Sequence, residues 1–235
     1  KIENIDNTFS EKIFLKKSIK LSNIYFSYNK NDNWILKNIN LEIKKGSTVL
    51  IKGPTGSGKS TLGNIIIGLL DPTKGQLFVD DILINFQNKT AWQKNISIIP
   101  QSIFLNDVSI AENIAIGVDP KKINLEKVKN VAKQARVADF IESIPSQYEE
   151  KVGERGIRLS GGQRQRIGIA RALYREAKII LFDEATNQLD TDTESLVMQS
   201  INNLNKEITI IFIAHRLSTL KNCDQIIDFS KLQDE

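Results

Sequence analysis

The sequence feature that most constrains the fold is the run Gly53-Pro-Thr-Gly-Ser-Gly58-Lys59-Ser60. Its glycines let the backbone wrap a polyphosphate so that N–H groups point inward, and a helix that starts behind them adds the positive end of its dipole. Such a phosphate loop needs a strand before it and a helix after it. The compact, largely apolar run 47–51 predicts that strand, and residues 59–70 predict a helix that Asp71-Pro72 ends.

Short apolar runs elsewhere predict the rest of the sheet structure. Residues 20–28 and 36–43 alternate apolar and polar side chains, which is typical of antiparallel strands joined by a loop. Residues 179–182 and 209–214 are two further apolar strands, and they flank a predicted helix at 191–205. Apolar strands that alternate with helices predict a parallel sheet covered on both faces.

The middle of the chain, residues 102–159, is helical in character. Residues 125–138 place apolar side chains at helical spacing, and another helix is predicted to follow Gly162 and to run through Tyr174. The predicted fold class is therefore α/β: a P-loop NTPase (RecA-like) parallel-sheet core with an antiparallel β-subdomain and an inserted α-helical subdomain.

The composition fits one such domain. A chain of 235 residues can bury a sizeable core, and 40% hydrophobic with 26% charged residues is ordinary for a globular protein. The net charge of +4 suits a nucleotide, an anionic membrane face or nucleic acid without choosing among them. The single cysteine, Cys223, excludes an internal disulfide framework and fits a reducing compartment.

The sequence contains no apolar run of the roughly 18 residues that a membrane-spanning helix needs. It starts at Lys1 and has no signal-peptide pattern. We therefore expect the chain to have been excised from a longer one.

Two polar groups of the phosphate loop and two carboxylates predict phosphoryl chemistry. Lys59 would supply a mobile ammonium for the β- and γ-phosphates, and Ser60 a hydroxyl ligand for Mg²⁺. The apolar strand 179–182 delivers Asp183 and Glu184 to a sheet edge. Asp183 would hold Mg²⁺ through water, and Glu184 would orient and deprotonate the attacking water. An isolated strand that ends in Asp-Glu is commonly a solvated strand end. In a chain with a phosphate loop, these carboxylates are the expected second part of the nucleotide site.

The segment Leu159-Ser-Gly-Gly-Gln163 directly precedes the predicted helix that ends at Tyr174. Together with the loop and the Asp-Glu strand, it resembles the signature of the ABC ATPases, and the resemblance covers nearly the whole chain. Backbone N–H groups of residues 160–162 at a helix N-terminus form a second anion site. The resemblance implies that the bound phosphate belongs to ATP on another subunit, and hence a head-to-tail dimer.

Further residues match this family position by position. Tyr28 resembles the aromatic residue that stacks on adenine, although an isolated tyrosine is more often part of a core. Gln101 resembles the glutamine that contacts Mg²⁺ and the attacking water and senses the membrane domains. His215, the only histidine, resembles the switch residue that bonds the γ-phosphate and positions Glu184. Without this context His215 would be taken as structural.

Asp190 matches the loop that crosses to the partner subunit, where Asn187 and Gln188 replace the family's usual small residues. The resemblance implies catalytic roles for Glu184, His215, Lys59 and Gln101, and metal ligation by Ser60, Gln101 and Asp183. It implies nucleotide contacts by Tyr28, Gly53, Pro54, Thr55, Gly56, Ser57, Gly58, Lys59, Ser60, Thr61, Ser160, Gly161, Gly162, Gln163 and Asp190.

Two segments resemble exporters rather than importers. Residues 152–156, Val-Gly-Glu-Arg-Gly, resemble the segment through which exporters contact the coupling helices of their membrane domains. Residues 101–110 and 112–114 also resemble the corresponding residues of exporters. Within it, flippases of lipid-linked oligosaccharide or polysaccharide fit best. The resemblance then implies two parts of the chain, a linker from an upstream transmembrane region at 1–18 and an ABC ATPase domain at 19–235. Within that domain, it implies a core with the β-subdomain at 19–101 and 165–235 and a helical subdomain at 102–164.

The resemblance also implies cofactors and partners. The cofactors are ATP and Mg²⁺, and the partners are a second ABC ATPase domain, identical or closely homologous, and transmembrane domains fused upstream, with no nucleic acid. The location would be peripheral, on the cytoplasmic face of the cell's inner membrane. Two alternatives are a soluble ABC ATPase acting on DNA or ribosomes, and a module that binds ATP without hydrolysing it.

Overall fold

The computed structural model describes residues 13–29, 33–184, 191–202, 204, 207–214 and 223–229, with the backbone alone at 155, 191–194, 196 and 202. The strands are β1 Ser18–Phe26, β2 Leu36–Lys44, β3 Thr48–Lys52, β4 Lys74–Val79, β5 Ile82–Ile84, β6 Ile96–Pro100, β7 Ile179–Asp183, β8 Thr209–Ile213 and β9 Gln225–Asp228. The α-helices are α1 Lys59–Ile66, α2 Lys89–Gln93, α3 Ile110–Ile114, α4 Leu125–Gln134, α5 Ala138–Glu142, α6 Gly161–Tyr174 and α7 Thr191–Asn202. Among these helices, none has the length and apolar character needed to cross a membrane.

A five-stranded parallel sheet forms the core, in the order β6-β7-β8-β3-β9. Strand β8 is buried at every position, and β7 is buried at all but its last, Asp183. Such strands are covered on both faces, as their continuous apolar runs predict. The sheet brings the carboxyl ends of β3, β6 and β7 to one edge, where the phosphate loop, Gln101 and Asp183-Glu184 follow.

A second, antiparallel sheet has the order β2-β1-β4-β5. The predicted pairing of the first two strands is confirmed, with Ile19 opposite Ile43 and Phe26 opposite Leu36. The alternating side chains of β1 bury Ile19 and Leu21 in the core that this sheet shares with the parallel one. Strands β4 and β5 extend the sheet on the other side of β1.

The segment before β1 is fastened to the turn after β4 by one carboxylate. Asp80 accepts the backbone N–H of Lys16 at Oδ2 (2.9 Å) and those of Lys17 (2.7 Å) and Ser18 (2.9 Å) at Oδ1. Partial burial alone would raise the pKa of Asp80, but these hydrogen bonds and the nearby Lys17 ammonium outweigh it and lower the pKa. Leu15, which belongs to the same segment, is buried.

Helices α3 to α6 enclose the second hydrophobic core. Helix α3 starts in a capping box, in which Ser109 and Glu112 each accept the other's backbone N–H. Helix α4 turns Val128, Val131 and Ala132 inward, as the apolar spacing predicts. The helical character of 102–159 is therefore observed, while the exact subdomain boundaries stay a prediction.

Helix α1 ends at Ile66, so the prediction that it continues to residue 70 is wrong. Gly68 adopts a φ of 72°, and its N–H donates to Ile65 O (3.0 Å) while Leu69 N–H donates to Asn64 O (2.8 Å). This is a Schellman motif, which stops a helix at a left-handed glycine. The stop signal was Gly68 rather than the later proline.

Candidate active site

The phosphate loop leaves β3 and enters α1, as predicted. Gly58 stands at the N-cap of α1 with a φ of 103°, and no side chain caps the helix there. The first backbone N–H groups of α1 therefore keep their capacity to bind an anion, which the helix dipole also favours.

The glycines of the loop are required for different reasons. A Cβ on Gly53 would lie 2.9 Å from Phe229 Cβ, and one on Gly58 would lie 3.0 Å from both Ile35 Cγ2 and Leu36 Cδ2. Gly56 has a φ of 78° but open space around its Cα. All three glycines have a positive φ, but only at the two ends of the loop does close packing also exclude a side chain.

Lys59 points back into the loop that precedes it. Its Nζ donates to the carbonyl oxygen of Pro54 (2.7 Å), and the residue is only 4% exposed. Burial lowers the pKa of Lys59, while the charges of Glu184 and Asp183 raise it, burial being the larger effect. An ammonium enclosed by loop backbone and facing two carboxylates suits a polyphosphate bound with a divalent cation.

Ser60 and Asp183 meet at the mouth of the loop although they are 123 residues apart in sequence. The Ser60 hydroxyl donates to Asp183 Oδ1 at 3.1 Å. Burial is the largest influence on Asp183 and raises its pKa, as does Glu184, whereas the Ser60 hydrogen bond and Lys59 lower it; the net direction is upward. A bound cation would reverse that direction and favour the carboxylate.

This pair fits Mg²⁺ by its chemistry. Hydroxyl and carboxylate oxygens are the hard donors that Mg²⁺ takes, and the ion usually keeps several waters and binds phosphate oxygens besides one or two protein ligands. Within the described ranges no group of three or more His, Cys, Asp or Glu side chains could hold a metal by itself. The Ser60 and Asp183 oxygens would leave most of the coordination positions to water and phosphate, which suits an ion that arrives with a phosphate.

Glu184 follows β7 in a strained backbone conformation. Its φ is 52°, which is rare for a residue with a side chain, and its N–H donates to Ile213 O at the end of β8 (2.9 Å). Such strain persists where the surrounding structure enforces it and is frequent at active sites. The neighbouring strand thus dictates the direction in which the Glu184 backbone leaves the sheet.

Tyr28 lies beside α1 and is 61% exposed, so it is not a core aromatic. Its hydroxyl is 3.4 Å from Thr61 Oγ1, and its ring packs edge-on against Phe26 with centroids 5.0 Å apart. An exposed ring held next to the helix that starts at the phosphate loop is placed to stack on a nucleotide base.

Gln101 follows β6 directly and has an exposed side chain. The last residue of β6, Pro100, pairs with Asp183 of β7. The structure therefore brings Gln101 to the same sheet edge as Ser60, Asp183 and Glu184, as the predicted ligand set requires.

The signature residues form the N-terminus of α6. Ser160 Oγ accepts the N–H of Gln163 (3.2 Å), and Gln163 Oε1 accepts the N–H of Ser160 (2.8 Å). Of the three N–H groups predicted to face a phosphate, that of Ser160 is thus engaged in the capping box. Gly161 and Gly162 supply the first N–H groups of the helix itself.

Two predicted site residues, Asp190 and His215, lie outside the described residues, as do Asn187 and Gln188. One residue that the sequence analysis missed is Gln165, whose Nε2 donates to the carbonyl oxygen of Gln101 (3.0 Å). Nothing in the local sequence signals this contact, since it joins residues 64 positions apart.

The two exporter-like segments, 101–110 and 152–156, lie side by side. Val152 N–H donates to Val108 O (3.3 Å), and Ser109 forms a backbone bridge with Lys151. Two large apolar side chains are exposed nearby, Phe104 at 61% and Ile157 at 79%.

Comparison with known proteins shows the family of the chain. The family model described as ABC transporter matches residues 36–187. The chain is 41% identical over 213 residues to "Heterocyst differentiation ATP-binding protein HepA" of Nostoc sp., covering 91% of this chain and 35% of that protein. It is 40% identical over 213 residues to "ATP-dependent lipid A-core flippase" of Pseudoalteromonas translucida, covering 90% of this chain and 36% of that protein.

Among solved structures, the chain resembles a bacterial Atm1-family ABC exporter with ATP bound. The TM-score is 0.81 and the identity 36%, over 93% of this chain and 39% of that one. The chain thus spans about a third of the length of the curated relatives it matches.

Proposed function

The chain belongs to the ABC transporter family and is one of its ATP-binding ATPase domains, and from that premise we propose that it is the motor of an ABC exporter. The observation that carries the proposal is the cluster at the phosphate loop. There the buried Lys59 ammonium lies near two carboxylates, and the Ser60 hydroxyl contacts one of them, Asp183.

Each residue of the cluster has a task in hydrolysis. The loop N–H groups and Lys59 bind the β- and γ-phosphates, and Ser60, Asp183 and Gln101 would hold Mg²⁺. When bound, Mg²⁺ neutralises charge that develops on the phosphate oxygens. Glu184 orients a water in line with the γ-phosphorus and accepts its proton as the water attacks.

A second copy of the domain completes the site. The N-terminus of α6 on one subunit, with Ser160, Gly161, Gly162 and Gln163, would bind the γ-phosphate held by the other subunit. A head-to-tail dimer of this kind has two equivalent sites. His215 and Asp190 keep their predicted roles at this interface, positioning Glu184 and crossing to the partner.

Transmembrane domains are the proposed second partner. Phe104 belongs to one exporter-like segment and Ile157 directly follows the other, and exposed apolar side chains of this kind suit a protein contact. Through it, closure around ATP would drive export, with the domain on the cytoplasmic face of the inner membrane. The likeness to a lipid A-core flippase agrees with a lipid-linked saccharide as the exported substrate.

Glu184→Gln tests the proposed chemistry. The amide can no longer accept the water's proton, so ATP binding should persist while turnover falls by about two or more orders of magnitude. Unhydrolysed ATP should also keep the dimer closed, and size-exclusion chromatography detects that dimer by its larger size. Phosphate release should be measured at high protein concentration, with Glu42→Gln, an exposed change on β2, as the control. Normal turnover in Glu184→Gln would refute the assignment, and no phosphate release from the unaltered protein would favour a non-hydrolysing module.

A further inference from the structure

The side chain of Gln165 joins helix α6 to the end of β6. Its Nε2 donates to the carbonyl oxygens of Pro100 (3.3 Å) and Gln101 (3.0 Å). The side chain is buried, with 4% of the residue exposed. Since Pro100 pairs with Asp183 across the sheet, this contact lies next to the residues that would hold Mg²⁺.

The orientation of the Gln165 amide is fixed by its surroundings. Turning the amide over would place its oxygen against two carbonyl oxygens, so the nitrogen must face them. Its own Oε1 is buried and has no hydrogen-bond partner among the residues that the structure describes. Leaving a buried acceptor unpaired costs free energy. The presence of glutamine at this position therefore has to be explained by what its two Nε2 hydrogen bonds do.

A glycine one turn along α6 lets the same segment pack closely against the same face of the helix. A Cβ on Gly168 would lie 2.8 Å from Ile103 Cδ1 and 3.8 Å from Ile99 Cγ2. Residues three apart share a helix face, so Gln165 and Gly168 both face the chain around Gln101. The backbone around Gln101 is therefore held against α6 by the hydrogen bonds of Gln165 and by close packing of Ile99 and Ile103 on Gly168.

We propose that Gln165 is a positioning residue for ATP hydrolysis, which ties the backbone of Gln101 to the helix that begins at the signature residues. The inference rests on the proposed function, because it takes Gln101 as the group that contacts Mg²⁺ and the attacking water. Ser160 and Gln165 are the N-cap and a second-turn residue of one helix. When the signature residues engage a phosphate on the partner subunit, Gln101 moves with them.

Gln165→Met tests this role, because methionine has a similar size and shape but no donor. In the full-length protein, kcat should fall by about tenfold or more because the group at Gln101 is misplaced. The KM for ATP should stay within about twofold, since the residues that bind phosphate are untouched. Gln165→Asn keeps an amide that is one methylene too short, and should lose kcat in the same way. It also carries the test if the methionine variant does not fold.

The decisive measurement is a double-mutant cycle with Gln101→Ala. If Gln165 acts through Gln101, then Gln165→Met should change kcat by less than about twofold in the Gln101→Ala background. A control with the same side-chain change is Gln134→Met, on the exposed face of α4, which should keep wild-type kinetics. Wild-type kcat in both Gln165 variants, or losses that multiply in the double variant, would overturn the inference. The proposed function fails on a separate result, undiminished turnover in Lys59→Ala.

Discussion

Asp80→Asn isolates the contribution of a single carboxylate to the stability of the fold. Asparagine has nearly the same shape and tolerates the positive φ of 54° found at this position. Its one carbonyl oxygen can still accept the N–H groups of Lys17 and Ser18, but its NH₂ group would face the N–H of Lys16. The substitution therefore loses one hydrogen bond to a charged group and weakens two others.

The size of the loss follows from these contacts. A hydrogen bond to a charged group contributes about 1.5–3 kcal/mol and a neutral one about 1 kcal/mol. Because the contacts lie at the surface, water replaces part of what is lost, and we expect a decrease of about 2 kcal/mol in the free energy of unfolding. For a chain of this size that corresponds to a Tm lower by about 4–8 °C.

The effect should depend on pH in a defined direction. The folded pKa of Asp80 lies below its unfolded value, so the ionised carboxylate stabilises the fold at all pH values above the unfolded pKa. The stabilisation is lost as the pH falls through the folded pKa. The stability gap between the wild type and Asp80→Asn should therefore be constant near neutral pH and close in acid.

Urea unfolding at several pH values measures both quantities. The matched control is Asp81→Asn, since the side chain of Asp81 makes, within the described part of the chain, only a 4.0 Å ion pair with Lys17, and both side chains are highly exposed. That variant should stay within about 0.5 kcal/mol of the wild type. Equal losses in the two variants, or a gap that widens in acid, would refute the reasoning.

Two further predictions concern the nucleotide site. Gly58→Ala should lower the free energy of unfolding by about 1–3 kcal/mol more than Gly56→Ala. Both positions have a left-handed backbone, but of the two only Gly58 faces side chains at 3.0 Å. Denaturant unfolding of the two variants measures the difference, and an equal or larger loss in Gly56→Ala would contradict it. Tyr28→Ala should raise the KM for ATP about tenfold through lost base stacking. Tyr28→Phe should stay close to the wild type, because the 3.4 Å contact with Thr61 is weak; steady-state kinetics that rank the two variants in reverse would rule out stacking.

Sequence patterns identified the elements whose signals are local. The phosphate loop, the apolar run of β7 and the helix after the signature residues could each be read from consecutive residues. Strands β4 and β5 were missed because their residues are largely exposed and do not alternate clearly. The predicted end of α1 was wrong because it was placed at Asp71-Pro72, whereas the left-handed Gly68 ends the helix earlier.

Contacts between distant residues could not be found in this way. That Ser60 and Asp183 act together was predicted from the joint presence of a phosphate loop and an Asp-Glu strand end, because each motif has a known part in phosphoryl chemistry. Gln165 with Gln101 and Asp80 with Lys16 had no such guide, because they are hydrogen bonds between a side chain and backbone atoms more than 60 positions away. Backbone partners leave no mark on the sequence of the residue that provides them.

The pairing of the two exporter-like segments uses main-chain atoms, from Val152 to Val108 and from Lys151 to Ser109. A frame built from peptide groups keeps its shape whatever its outward side chains are. The exposed Phe104 and Ile157 can therefore be exchanged for other side chains at little structural cost. In the proposed contact with membrane domains, the main-chain frame would stay constant while these side chains would set the specificity.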